Sequence, residues 1–208
     1  MNIMIKKYKK ILKDDYEWYT TNISNDGMAM SLELASFMYL LCDTFKFETL
    51  MDRGSGFGSF VLRKYAKEND AKVFSIDDNS EWLDTTKTYL KMHNLNTDNL
   101  YLWEKFYDIH YPVCLALNNF NMFDFILEDA STNLRVSTAD EVISFLEEDG
   151  VMLYDDAHYN ITHQPIIKRQ AKKLEMYEYD IKKITKDSYS RFGALITRKN
   201  IDWLEKIT

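Results

Sequence analysis

The segment Asp52-Arg53-Gly54-Ser55-Gly56-Phe57-Gly58-Ser59 constrains the fold more than any other part of the chain. A short apolar run at 47–51 precedes it, and residues 59–67 after it carry apolar side chains at helical spacing. Glycine turns the backbone where a side chain would clash, so this segment reads as a tight strand-to-helix connection. The pattern then repeats. Strands are predicted at 72–76, 100–103, 123–127 and 151–154, with helices at 80–93, 137–148 and 165–174. The helix at 137–148 is expected to open on a capping box at Ser137–Asp140 and to stop at Gly150. The stretch 106–119 is ambiguous, with a helix possible after Pro112. Alternating strands and helices imply βαβ units and a mostly parallel sheet. The last two predicted strands, 175–183 and 192–198, have too short a link for a helical crossover and should pair antiparallel.

The N-terminal part has another character. Ile5, Tyr8, Ile11, Leu12, Tyr16 and Tyr19 recur at helical spacing, and Ser31 is placed to cap a second helix reaching about Cys42. We therefore divide the chain into a helical extension, 1–45, and an α/β unit, 46–208. Tyr16, Trp18, Tyr19, Met28 and Met30 are expected to cover the core rather than to form a lid. With 6 Gly and 2 Pro in 208 residues, long flexible linkers are not expected. A net charge of −7 argues against a nucleic-acid backbone as partner. No run is long and apolar enough to span a bilayer, no signal peptide is recognisable, and Cys42 and Cys114 form no disulfide framework. These features point to a cytoplasmic protein.

Four of the first five strands run into acids or glycine: Asp52 and Gly54, Asp77-Asp78, Glu128-Asp129, and Asp155-Asp156. Open α/β sheets bind ligands outside the carboxyl ends of their strands, so these acids are expected to face one crevice. Gathering carboxylates there is costly unless a cation or a hydroxyl-bearing ligand pairs with them. Any single acid among them is as readily explained as a helix cap. Asp77 lies about 25 residues beyond Asp52, near the spacing at which an acid grips an adenosine ribose.

The stretch 49–59 resembles the first motif of class I S-adenosylmethionine-dependent methyltransferases, and 73–83 resembles their second. The runs 123–129 and 147–156 resemble their fourth- and fifth-strand motifs, and the likeness extends over about 31–198. It implies a Rossmann-like, doubly wound, seven-stranded mixed sheet of order 3-2-1-4-5-7-6 with strand 7 antiparallel. It also implies that Asp52, Gly54, Ser55, Gly56, Gly58, Asp77, Asp78 and Glu128 bind S-adenosylmethionine, Asp77 through the ribose hydroxyls and Asp78 beside the adenine. A nicotinamide or flavin dinucleotide is the competing cofactor. Its Gly-x-Gly-x-x-Gly fingerprint would need glycine at Ser59 or Val61, and Asp52 would meet a pyrophosphate there.

Two devices for activating a methyl acceptor are legible. Asp129, Asp155 and Asp156 carry oxygen ligands suited to Mg²⁺, and their pattern resembles the metal positions of caffeoyl-CoA and macrocin O-methyltransferases. Asp129 and Asp155 would then act directly in catalysis. Alternatively His158, just past the fifth strand, serves as general base; His163 is expected in a surface loop. Tyr154, Tyr159 and Trp103 near strand ends are candidate ligand contacts. The Asn/Asp-Pro-Pro-Tyr/Phe signature of amine methylation is absent after the fourth strand. The partner that the resemblance implies is a small hydroxylated acceptor. A protein that binds the cofactor without catalysis, as a sensor or partner subunit, would carry the same cofactor motifs.

Overall fold

A computed structural model describes residues 2–117, 122–201 and 204. Two helices come first, α1 (Asn2–Asn22) and α2 (Leu32–Phe45). As its position suggested, Ser31 caps α2 by accepting from the Leu34 N–H at 3.2 Å. Then follow β1 (Thr49–Arg53), α3 (Phe57–Asn69), β2 (Lys72–Asp77), α4 (Ser80–Met92), β3 (Leu100–Leu102) and α5 (Trp103–Leu117). The chain continues through β4 (Phe123–Glu128), α6 (Thr132–Ser137), α7 (Ala139–Ser144), β5 (Leu146–Tyr154), α8 (His163–Lys173), β6 (Tyr177–Tyr179), α9 (Lys182–Thr185) and β7 (Ala194–Thr197).

The seven strands form one sheet in the order β3-β2-β1-β4-β5-β7-β6. β1 to β5 pair in parallel, and β7 runs antiparallel to both β5 and β6. This is the Rossmann-like doubly wound sheet expected from the motifs. Successive strand residues face opposite sides. Leu50, Phe125, Leu127, Val151, Leu153 and Leu195 join one apolar core with α1 to α4, while Met51, Ile126, Met152, Tyr154 and Ile196 join another with α5 to α8. The same alternation sends Asp52 toward α3 and its neighbour Arg53 to the opposite face. Among the described residues no helix is long and apolar enough to cross a membrane.

The region 131–150 differs from the expectation. Instead of one helix to residue 148, α6 and α7 are separated at Thr138, and neither Ser137 nor Thr138 caps α7. Both hydroxyls donate back to the Leu134 carbonyl, and that of Thr138 also accepts from Arg53 Nη1 at 2.9 Å. Glu147, Glu148 and Asp149 would place three negative charges at a helix C-terminus, where the backbone dipole repels them. They bulge outward from β5, and Gly150 lies within that strand rather than ending a helix. Pro112 sits inside α5, which runs from Trp103; residues 118 and 119 of the ambiguous stretch lie outside the described residues.

Candidate functional site

The site forms where β1, β2, β4 and β5 end side by side. Gly54 has φ +102°, and a Cβ there would collide with the carbonyl oxygen of Asp129. Glycine is thus what lets the loop after β1 lie against the end of β4. The Gly54 N–H donates to the Ile76 carbonyl at 2.8 Å, which joins the loop to β2. Gly56, at φ +152°, sits under the Tyr19 hydroxyl and the Trp82 indole, and Trp82 donates to the Ser55 carbonyl. Gly58 packs close to Leu127, Met30 and Asp52 Oδ1.

Asp52 is fully buried. Its Oδ2 accepts from the hydroxyls of Ser59 and Ser75, the latter at 3.1 Å, while Oδ1 has no hydrogen-bond partner. Burial pushes its pKa up to about 7 against the opposing pull of those hydroxyls and Arg63. Asp77 is buried too; its Oδ2 accepts from the Ser55 N–H at 2.7 Å and hydroxyl at 2.8 Å, and its Oδ1 from the Asn79 N–H at 2.9 Å. Burial raises its pKa as well. Asp78 is exposed and accepts from the Ser131 hydroxyl at 2.6 Å, spanning from the end of β2 to the start of α6.

Glu128 points to the other face, where it is 1% exposed between two guanidiniums. Arg53 Nε lies 3.4 Å from Oε2 and Arg135 Nε 3.7 Å from Oε1. Arg53 also stacks on Trp103 at 5.0 Å, and Arg135 donates to the carbonyls of Asp155 and Ala130. The Glu128 carboxylate is therefore engaged inside the fold rather than turned toward the glycine loop. Tyr154 is likewise interior, donating to Gln170 at 2.6 Å, whereas Tyr159 is half exposed.

β4 and β5 bring Asp129, Asp155 and Asp156 together, since Glu128 and Tyr154 are register partners. Burial, followed by the charges of Asp155 and Asp156, holds Asp129 well above the usual carboxylate range. Asp155 is raised to about 7 by burial and by Asp156. The expected metal ligand set is not assembled, however. Among the described residues no group of three or more His, Cys, Asp or Glu side chains is placed to hold a metal ion. Asp155 Oδ1 turns back to accept the Asp156 N–H at 2.6 Å. Asp156, in the left-handed region at φ +56°, faces His158 Nδ1 at 3.5 Å instead.

His158 lies against Tyr159 and Phe192. His163, expected in a surface loop, is the buried first residue of α8. Its Nδ1 lies 2.8 Å from Arg135 Nη1, and burial with that neighbouring charge lowers its pKa and keeps it neutral.

Several residues of the site were not assigned to it from the sequence. Tyr19 reaches in from α1, buried, and burial together with the Asp129 and Asp52 carboxylates holds its hydroxyl protonated. Ser59, Arg63, Ser75 and Trp82 support the glycine loop and Asp52, and Arg53 and Arg135 hold Glu128. A recoverable signal existed for one pair: Arg53 and Glu128 are opposite charges ending two strands of otherwise apolar character.

No family model and no curated protein matches the chain. Solved structures do. An S-adenosylhomocysteine-bound methyltransferase of Podospora anserina superposes with a TM-score of 0.62 at 15% identity, covering 91% of this chain and 88% of that one. An O-methyltransferase of Bacillus cereus in complex with S-adenosylhomocysteine gives 0.61 at 12%, covering 91% and 89%. An O-methyltransferase of Streptomyces achromogenes involved in tomaymycin synthesis, in complex with S-adenosylmethionine, gives 0.60 at 11%, covering 93% and 87%. The chain shares the fold of these proteins.

Proposed function

We propose that this protein is an S-adenosylmethionine-dependent methyltransferase acting on a hydroxyl of a small molecule. The observation that carries the reading is the free Oδ1 of Asp52, a fully buried carboxylate oxygen beside a loop of left-handed glycines. A buried anion with an unused acceptor is costly, and an ammonium group such as that of the cofactor's methionine part would satisfy it. Asp77 stands where the second strand ends, with one acceptor position of Oδ1 left for a ribose hydroxyl, and Asp78 lies beyond it for the adenine side. Gly54, Ser55, Gly56 and Gly58 form the loop that would lie along the cofactor, with Gly54 and Gly58 packing it against Asp129 and Leu127.

When bound, the cofactor supplies an electrophilic methyl group. The protein has to align the acceptor, exclude water and take a proton. His158 is the proposed base. Its Nδ1 lies 3.5 Å from the Asp156 carboxylate without a hydrogen bond to it, close enough to pair when the ring takes up a proton. Asp155, raised to about 7, can hold that proton near neutral pH. Tyr19 and Trp82 cover the glycine loop and keep solvent from it. A metal-bound hydroxyl is not part of the proposal, because Asp155 and Asp156 turn to different partners.

Calorimetric titration with S-adenosylhomocysteine, with NAD⁺ as the control, tests the cofactor. Transfer of labelled methyl to a panel of phenols and alcohols, with and without chelator, tests the reaction. Binding of the first ligand alone and turnover that survives chelator are expected. Heat with NAD⁺ only would overturn the reading, and binding without any methyl transfer would favour a sensor.

A further inference from the structure

Asp52 does not stand alone in the core. Ser59 is the third residue of α3, and its hydroxyl accepts from the Gly56 N–H at 3.2 Å, so its own proton is directed to Asp52. Ser75, in β2, is arranged in the same way. It accepts from Arg63 Nη1 at 2.5 Å, and a guanidinium can only donate, so the Ser75 proton also points at Asp52. Arg63 is held from its other side by the Asp98 carbonyl, at 3.0 Å from Nη2. It is 3% exposed and lies four residues beyond Ser59, on the same side of α3.

The result is a chain: Asp98 carbonyl, Arg63, Ser75, Asp52 Oδ2. Its consequence is that one carboxylate oxygen is fixed by two donors while Oδ1 is left free. The other groups that act on Asp52 oppose its charge. The Asp77 carboxylate faces it from β2 and Asp129 interacts with it from the end of β4, while the Tyr19 hydroxyl that comes in from α1 stays protonated and carries no charge. Arg63 is the cation in this set, and although burial lowers its own pKa to about 10 it stays charged at neutral pH.

We propose that Arg63 is a positioning residue that keeps Asp52 ionised and oriented, through Ser75, for the ammonium group of the bound cofactor. This rests on the cofactor reading above. The role belongs to arginine rather than lysine because two separate nitrogens are used at once, one for Ser75 and one for Asp98.

The test is the pH dependence of S-adenosylhomocysteine affinity, measured by calorimetry from pH 6 to 9 on wild type, Arg63→Met and Arg63→Lys, with thermal melts of each. Wild-type affinity should fall as pH drops through about 7, where Asp52 takes up a proton. Loss of the Arg63 charge should move that midpoint up by about one pH unit, so that binding is roughly five-fold weaker at pH 7 and recovers by pH 9. Arg63→Lys should lie between the two. A folded Arg63→Met protein whose affinity curve runs parallel to wild type at every pH would overturn the proposal. Should Arg63→Met not fold, Arg63→Lys decides: an upward shift supports the role of Arg63, and a midpoint unmoved from wild type refutes it. Wild type that binds no S-adenosylhomocysteine at any pH would remove the cofactor reading and the Arg63 role together. A wild type that binds normally with an unmoved variant midpoint would remove only the second.

Discussion

Replacing Asp155 with asparagine should stabilise this protein at alkaline pH and do so much less at pH 5. The carboxyl is 6% exposed, and burial with the adjacent Asp156 charge raises its pKa from 3.8 to about 7. For an acid raised in this way, the folded state holds the proton more tightly than the unfolded chain. Its contribution to stability is complete below the unfolded value and is lost as pH rises through the folded one. Three units at 1.36 kcal/mol each set an upper bound of about 4 kcal/mol on the penalty above pH 7. Asparagine keeps an oxygen for the Asp156 N–H but brings an amide that needs partners of its own, at a cost of about 1 kcal/mol or more. The net gain at pH 8.5 is then about 1–3 kcal/mol, or roughly 3–10 °C in melting temperature for a chain of this size. Thermal melts of wild type and variant at pH 5 and 8.5 measure it directly. An equal difference at the two pH values, or no gain at 8.5, would show that Asp155 does not carry a buried charge and would refute the argument.

Three further outcomes follow from the geometry. Glu128→Gln should cost about 3–5 kcal/mol in urea denaturation, since it leaves two buried guanidiniums without their anion; a loss below about 1 kcal/mol would mean that water reaches the pair. Gly54→Ala should abolish or severely reduce folding, because the new Cβ meets the rigid Asp129 backbone at a positive φ, whereas Gly27→Ala on an exposed turn should change the melting temperature little. Asp77→Ala should weaken S-adenosylhomocysteine binding by about 1.5–3 kcal/mol, roughly ten- to more than one-hundred-fold, and an unchanged dissociation constant in the same titration would remove Asp77 from the ribose.

The sheet was readable because its signals are local. Four of the first five strands are short apolar runs ended by an acid or glycine, and the Asp52–Ser59 loop announces a strand-to-helix turn within eight residues. The 131–150 region misled for a related reason. The capping pattern at Ser137–Asp140 is a local signal too, but the Thr138 hydroxyl is taken by Arg53, 85 positions away along the chain. His163 was misplaced in the same way: nothing near it in sequence foretells that Arg135 will bury it.

Sequence by itself determined the alternation of strands and helices, the reversed last strand and the row of acids at the strand ends. These depend on periodicity, on turn residues and on connection length, all of which act over a few neighbours. Only the tertiary structure decided what each acid faces. Asp52 and Arg53 are adjacent in sequence yet fall on opposite sides of the sheet, one toward Ser59, Ser75 and Arg63, the other toward Glu128 and Trp103. Asp155 and Asp156 diverge because one returns to the backbone and the other follows a left-handed turn toward His158. Charge and hydrogen bonding are set by through-space distances of a few ångströms, and those distances exist only once separate elements have packed.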